Sequence, residues 1–159
     1  MIKVLFVCLG NICRSPVGEA IFQKLVNDKG LNSKISVDSA GMAGYHTGEH
    51  ADSRMRKHAL KRGYEITHRA RKIRSEDFFE FDYILIMDQN NYHDYLRLDP
   101  GKVYRDKVFF ATDFAKNRKE KEVPDPYYGG PEGFEHVIDI MEDVAQGLLR
   151  DIKEKHDIG

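Results

Sequence analysis

The chain opens on a near-continuous apolar, β-branched run, Ile2-Lys-Val-Leu-Phe-Val-Cys8. A run of this length with a single polar position suits a strand covered on both faces, as in a parallel sheet. From Gly10 to Arg14 the pattern breaks into a turn, and Ser15-Pro16 then reads as a helix start, with Ser at N-cap and Pro at N1. Val17, Ala20, Ile21 and Leu25 recur at helical spacing, and Gly30 supplies the stop. A second short strand is expected at Ile35–Val37, ending in Asp38-Ser39-Ala40-Gly41, and a helix from about Asp52 to Arg62 is closed by Gly63. Tyr83-Ile-Leu-Ile-Met87 is a third buried strand, followed by a polar helix through Tyr92 and Leu96, and Val108-Phe-Phe110 is a weaker fourth. The last helix is the clearest: Pro131 opens it, and Phe134, Val137, Ile138, Met141, Val144, Leu148 and Ile152 form one apolar stripe. Strands alternating with helices predict an α/β fold. The expectation is a doubly wound sheet of about four parallel strands with helices on both faces and a site beyond the strands' carboxyl ends.

Length and composition narrow this without changing it. At 159 residues, with no linker, repeat or low-complexity stretch, residues 1–159 are expected to form one domain. Leu, Ile, Val and Phe make up 41 of these residues, too many for intrinsic disorder. Lys and Arg total 25 against 26 Asp and Glu, a balance that argues against a dedicated nucleic-acid binder. No apolar run approaches the roughly 20 residues of a membrane span. Residues 2–8 lack the basic leader and small-residue cleavage site of a signal peptide. Two cysteines five residues apart make no disulfide framework, so a soluble, reduced, cytoplasmic protein is expected. Charge is uneven: Arg54–Arg74 is rich in Lys and Arg, whereas the chain from Glu120 onward is dominated by acids. Such runs are either solvated helix faces or a basic rim that draws in an anion.

Chemistry concentrates where the first strand ends, in Cys8-Leu-Gly-Asn-Ile-Cys-Arg14-Ser-Pro. A Cys-x5-Arg spacing alone is weak, but here the Cys ends a buried strand, Gly10 and Asn11 fill the turn, and Arg14-Ser15-Pro16 opens a helix. Such a loop can aim successive backbone N–H groups inward, and the helix N-terminus adds partial positive charge. Gly10 and Asn11 tolerate the positive φ that a tight anion cradle requires. Cysteines at helix N-termini beside arginine react as thiolates near neutral pH, so Cys8 fits a nucleophile attacking phosphorus to give a cysteinyl-phosphate. Arg14 offers a planar fork for two phosphate oxygens, and Ser15 can hydrogen-bond the departing sulfur. The leaving oxygen needs a proton, and Asp125, between two prolines in Val123-Pro-Asp-Pro-Tyr-Tyr-Gly-Gly130, is the candidate acid. Tyr127 and Tyr128 can flank the mouth and stack on an aromatic group. From this segment alone, a turn-forming Asp is an equal reading. His46, His50 and His58 raise the thought of metal, but Gly48 breaks their spacing and no Cys or acidic set accompanies them. No metal or cofactor is expected.

Together these segments resemble the low-molecular-weight protein tyrosine phosphatases. The resemblance covers nearly the whole chain: the N-terminal strand, Cys8–Pro16, Asp38–Gly41, the Ala51-Asp52-Ser53-Arg54 helix start, Ile86-Met87-Asp88 and Asp125–Gly130. It implies a metal-free phosphatase with Cys8 as nucleophile, Arg14 as phosphate clamp and Asp125 as acid and then base. It implies a phosphate-binding loop of Leu9, Gly10, Asn11, Ile12, Cys13, Arg14 and Ser15 after the first strand, supported by hydrogen bonds among Asn11, Ser15, Ser39 and His68. The expected substrate wall is Leu9, Tyr45, Tyr127 and Tyr128, with Tyr45 where many relatives carry Trp.

Within that resemblance the expected partner is a phosphotyrosine protein, with no nucleic acid and no membrane, and the chain is expected to be a monomer or weak dimer. Cys8 and Cys13 are expected to form a reversible protective disulfide, unless Cys13 only packs beneath the loop. Arginine-selective relatives carry Thr where this chain has Ile12 and a single aromatic in place of Tyr127-Tyr128, so tyrosine is expected over arginine. Arsenate reductase chemistry would need further cysteines for a disulfide cascade, and Cys13 is the only spare one. An idle phosphate-binding module would lack part of the catalytic set, and none is missing.

Overall fold

The computed structural model describes residues 1–158. Strand β1 (Ile2–Cys8) runs into helix α1 (Arg14–Asp28), β2 (Ile35–Gly41), α2 (Ser53–Lys61) and α3 (Ser75–Glu80). Next come β3 (Tyr83–Ile86), α4 (Gln89–Leu98), β4 (Val108–Phe110) and the long α5 (Pro131–His156), with 3-10 turns flanking β4. All strands pair in parallel, in the order β2-β1-β3-β4. Alternation along β1 divides the core: Val4, Phe6 and Cys8 face a layer of α1, α2 and α5, while Leu5 and Val7 face Phe78 of α3 and Tyr95 of α4. Helices therefore cover both faces, as the near-continuous apolar strands require. Every residue of the expected α5 stripe is buried.

Strand order fixes where a site can open. The chain leaves β1 towards β2 on one side and later returns to β3 on the other, so the carboxyl end of β1 is the topological switch point. Cys8 is the last residue of that strand.

Three local expectations differ from the structure. The first helix begins at Arg14 with Cys13 at N-cap, not at Ser15-Pro16. Ser15 makes no cap because its hydroxyl bonds the Cys8 sulfur and Asn11 instead. Strand β2 continues past Val37 to Gly41, since all seven residues pair with β1, down to Cys8 opposite Gly41. The polar Asp38 and Ser39 had masked that half of the strand. Helix α3 is absent from the apolar pattern. Its six residues are too few for periodicity, and Asp77 anchors them by accepting from the Arg74 amide at 2.8 Å and pairing with Arg71 at 2.9 Å.

Part of the basic run is paired within the fold. Arg62 reaches three carboxylates of α5, Glu135 at 2.6 Å, Asp139 at 2.8 Å and Glu142 at 2.9 Å, and His58 also bonds Glu135. Basic and acidic segments thus meet as a seam between α2 and α5.

Candidate active site

The loop from Leu9 to Cys13 is wrapped by the turn that follows β2. The Met42 and Ala43 amides donate to the Cys8 and Leu9 carbonyls at 2.9 Å, and the Asp52 amide donates to the Ile12 carbonyl at 2.8 Å. Gly41 permits this approach, because a Cβ there would stand 2.8 Å from the Leu9 carbonyl oxygen. Asn11 takes the left-handed conformation, φ 59°. Gly10 does not; a Cβ there would stand 3.2 Å from the His46 ring, a tight contact that the ring would have to relieve.

A directed chain of hydrogen bonds converges on the sulfur. The Asn11 side-chain amide donates to Ser15 Oγ at 2.8 Å and Ser39 Oγ at 3.1 Å. Ser39 donates in turn to Glu19 at 2.6 Å. With both amide hydrogens used, Asn11 Oδ1 only accepts, from the Arg71 backbone amide and from His68 Nε2, each at 2.9 Å. His68 Nε2 therefore carries a hydrogen. Ser15 Oγ lies 3.0 Å from Cys8 Sγ and 3.4 Å from the Ala40 carbonyl, so its hydrogen can point at the sulfur or at that carbonyl. The four expected supporting residues are thus brought together, with Glu19 and Arg71 as members that the sequence pattern did not reveal.

Glu19 closes the far end. Burial pushes its carboxyl up to about 7, against the Ser39 bond, with Asp38 adding to the rise. Burial also lowers His68, whose Nδ1 lies 3.3 Å from Glu19 and 3.4 Å from Asp38. Both groups move towards their neutral forms. Glu19, Asp38 and His68 bring one donor atom each within 4.8 Å of one another, and Arg71 Nη2 donates to Asp38 Oδ2 at 3.1 Å.

Arg14 is 3% exposed, and its Nη1 donates to Asp88 at 2.6 Å and to the Val123 carbonyl at 3.0 Å. Burial opposes its charge, but Cys8, the Asp88 bond and Asp125 outweigh that and hold the guanidinium protonated more firmly than free arginine. Asp88 caps α4 by accepting from the Asn91 amide, and so joins β3 to the clamp. An acid at the carboxyl end of the strand beside β1 was the signal available for it. Asp125 lies across the opening, 45% exposed, with Oδ2 3.8 Å from Arg14 Nη2 and Oδ1 accepting from the Tyr127 amide at 3.0 Å.

A pocket of about 340 Å³ unites these groups: Cys8, Arg14 and Asp125 sit within walls of Leu9, Ile12, Tyr45, His46, Tyr127 and Tyr128. All four expected wall residues line it. His46 is an addition, tethered through Nδ1 to Glu49 at 3.2 Å. Cys13 also lines the pocket and is largely buried; burial first, then Asp52 and Cys8, push its thiol well above the usual range. Both cysteines are free.

The family model described as low molecular weight phosphotyrosine protein phosphatase matches residues 3–157. The chain belongs to this family. A Synechocystis protein named for the low molecular weight protein-tyrosine-phosphatases is 51% identical over 147 residues, covering 92% of this chain and 94% of that protein. The crystal structure of a protein tyrosine phosphatase from Entamoeba histolytica, with Hepes in its active site, superposes with a TM-score of 0.94. It is 47% identical and covers 98% of this chain and 99% of its own. More distant is a Drosophila arginine phosphatase, 30% identical with a TM-score of 0.86 over 96% of this chain and 98% of its own. As a low molecular weight phosphatase, the chain is a hydrolase on an α/β scaffold.

Proposed function

We propose that this phosphatase hydrolyses phosphotyrosine in proteins through a cysteinyl-phosphate on Cys8. One observation carries the reading: Cys8 Sγ, the Arg14 guanidinium and the Asp125 carboxyl share one aromatic-walled pocket at the switch point of the sheet. The phosphate sits in the loop between Cys8 and Arg14, where backbone amides and the α1 N-terminus meet its charge. The sulfur attacks phosphorus in line, and the P–O bond breaks with its electron pair going to the phenol oxygen. Asp125 donates the proton that oxygen takes up. In the second step Asp125 takes a proton from water, whose oxygen attacks phosphorus. The S–P bond breaks with its electron pair returning to the Cys8 sulfur, and the Ser15 hydroxyl donates a hydrogen bond to the thiolate that forms. Arg14, already braced by Asp88 and Val123, need not reorganise as charge moves over the phosphoryl oxygens.

Depth supports a tyrosine substrate. A flat ring reaches Cys8 while lying against Tyr45, Tyr127 and Leu9, whereas phosphoserine is too short to bury against those walls. The Drosophila relative makes arginine the rival, and Ile12, which lines the pocket, offers a phosphoguanidinium only apolar contact. The test is kcat/KM for matched phosphotyrosine and phosphoarginine peptides with wild type, Asp125→Ala and Ile12→Thr. Phosphotyrosine should be preferred, and Asp125→Ala should lose about 10²–10⁴-fold on it, the range of general acid catalysis. Ile12→Thr should move the ratio towards arginine. A wild-type preference for phosphoarginine would overturn the substrate while leaving the Cys8 chemistry in place.

A further inference from the structure

The acid loop is tied to the rest of the protein by little. Pro124 and Pro126 have no N–H to give, and the Tyr127 and Gly129 amides donate within the loop, to Asp125 and to the Pro126 carbonyl. Among the described residues, one hydrogen bond crosses from residues 124–129 to another element: Arg54 Nη2 donates to the Tyr127 carbonyl at 3.0 Å. The same guanidinium lies over the Tyr127 ring, 5.3 Å from its centroid, and over Phe134 of α5 at 4.8 Å.

Arg54 is itself fixed from the other side. Asp52, the N-cap of α2, accepts from Arg54 Nε at 3.1 Å and Nη2 at 2.9 Å. The Asp52 backbone amide donates to Ile12 in the phosphate loop at 2.8 Å. A continuous path of short contacts thus runs from the nucleophile loop through Asp52 and Arg54 to the Tyr127 peptide. The backbone N–H of the same residue, Tyr127, holds Asp125 Oδ1 and leaves Oδ2 turned towards Arg14.

We propose that Arg54 is a positioning residue for the general acid: it splints the acid loop to the phosphate loop and sets the distance from Asp125 to the leaving oxygen. This rests on Asp125 being the acid. It contrasts with the other role open to a half-exposed arginine at a pocket mouth, attraction of an anionic substrate. The two differ in what they change. A splint acts on protonation of the leaving group, and an attractor acts on binding.

The experiment compares Arg54→Met and Arg54→Lys, each in the wild-type and Asp125→Asn backgrounds, on phenyl phosphate and on an aryl phosphate with an activated nitrophenol leaving group. Orthovanadate affinity reports the phosphate loop, and thermal unfolding reports the fold. Misplacing a catalytic group by about 1 Å costs up to about 10²-fold, so Arg54→Met should lose about 10- to 10²-fold in kcat/KM on phenyl phosphate and less than about threefold on the activated ester. Vanadate affinity should hold. Lys should recover part of the loss, since it can donate to Tyr127 but cannot also fork onto Asp52. In the Asp125→Asn background the Arg54 substitutions should cost nothing further. Equal losses on both esters, weakened vanadate binding, or a full additional loss in the Asp125→Asn background would overturn the splint. If Asp125→Asn alone shows no dependence on the leaving group, the acid assignment fails first, and that outcome is distinct from the others.

Discussion

Glu19 shows how a residue outside the pocket acts on it. Its carboxyl is raised from 4.5 to about 7 because it is buried beside Asp38, while Ser39 and the Asn11 chain depend on its oxygen as an acceptor. A raised carboxyl binds its proton more tightly folded than unfolded. Its contribution to stability is therefore greatest below 4.5 and is lost as pH rises to about 7. Glu19→Gln keeps the acceptor for Ser39 without the charge. Its stability relative to wild type should rise between pH 5 and pH 8, read as the difference in urea midpoints; a flat or opposite trend would contradict the buried-carboxyl account. Among the individual residues, the candidates Cys8 and Arg14 were legible because motif and element boundary coincide, whereas Asp125 sits in a loop where a turn-forming Asp was an equal reading until the family resemblance singled it out. Glu19 and Arg71 were not legible, since nothing in a helix-facing Glu or a loop Arg marks a partner far away in sequence. Arg54 stood inside a recognisable helix start, but its contact with Tyr127 crosses 73 residues.

At the scale of elements, apolar pattern together with start and stop residues predicted all four strands and four of the five helices. It failed where polar groups do the holding: the second half of β2, the six-residue α3, and the start of α1, where the chemistry takes Ser15 away from capping. The strongest packing constraint between elements is also silent in the pattern. Gly147 in α5 lies against the 3-10 turn Ala111–Phe114, and a Cβ there would stand 1.7 Å from the Phe114 carbonyl oxygen. Backbone cannot yield as a side chain can, so Gly147→Ala should displace α5 from the turn despite its better helix propensity. The expected loss is about 1–3 kcal/mol or more, the cost of overpacking a core. Chemical denaturation measures it, and an unchanged or improved midpoint would show that the approach is looser than described.

Over the whole molecule, the order β2-β1-β3-β4 is what converts sequence motifs into a site. It places the end of β1 beside Gly41 of β2 and near Asp88 after β3, and it leaves α2 and the acid loop to meet above them. Part of the charge asymmetry along the chain is met internally, where Arg62 pairs with three carboxylates of α5. The central claim is that a phosphoryl group passes through the Cys8 sulfur. The most direct measurement is acid quenching of Asp125→Ala during turnover of an activated aryl phosphate, followed by mass spectrometry of the intact protein and its peptides. The account predicts a phosphorylated species mapping to Cys8 and missing in Cys8→Ser, which should still bind vanadate. Turnover by Cys8→Ser, or a phosphoryl group on any other residue, would contradict it.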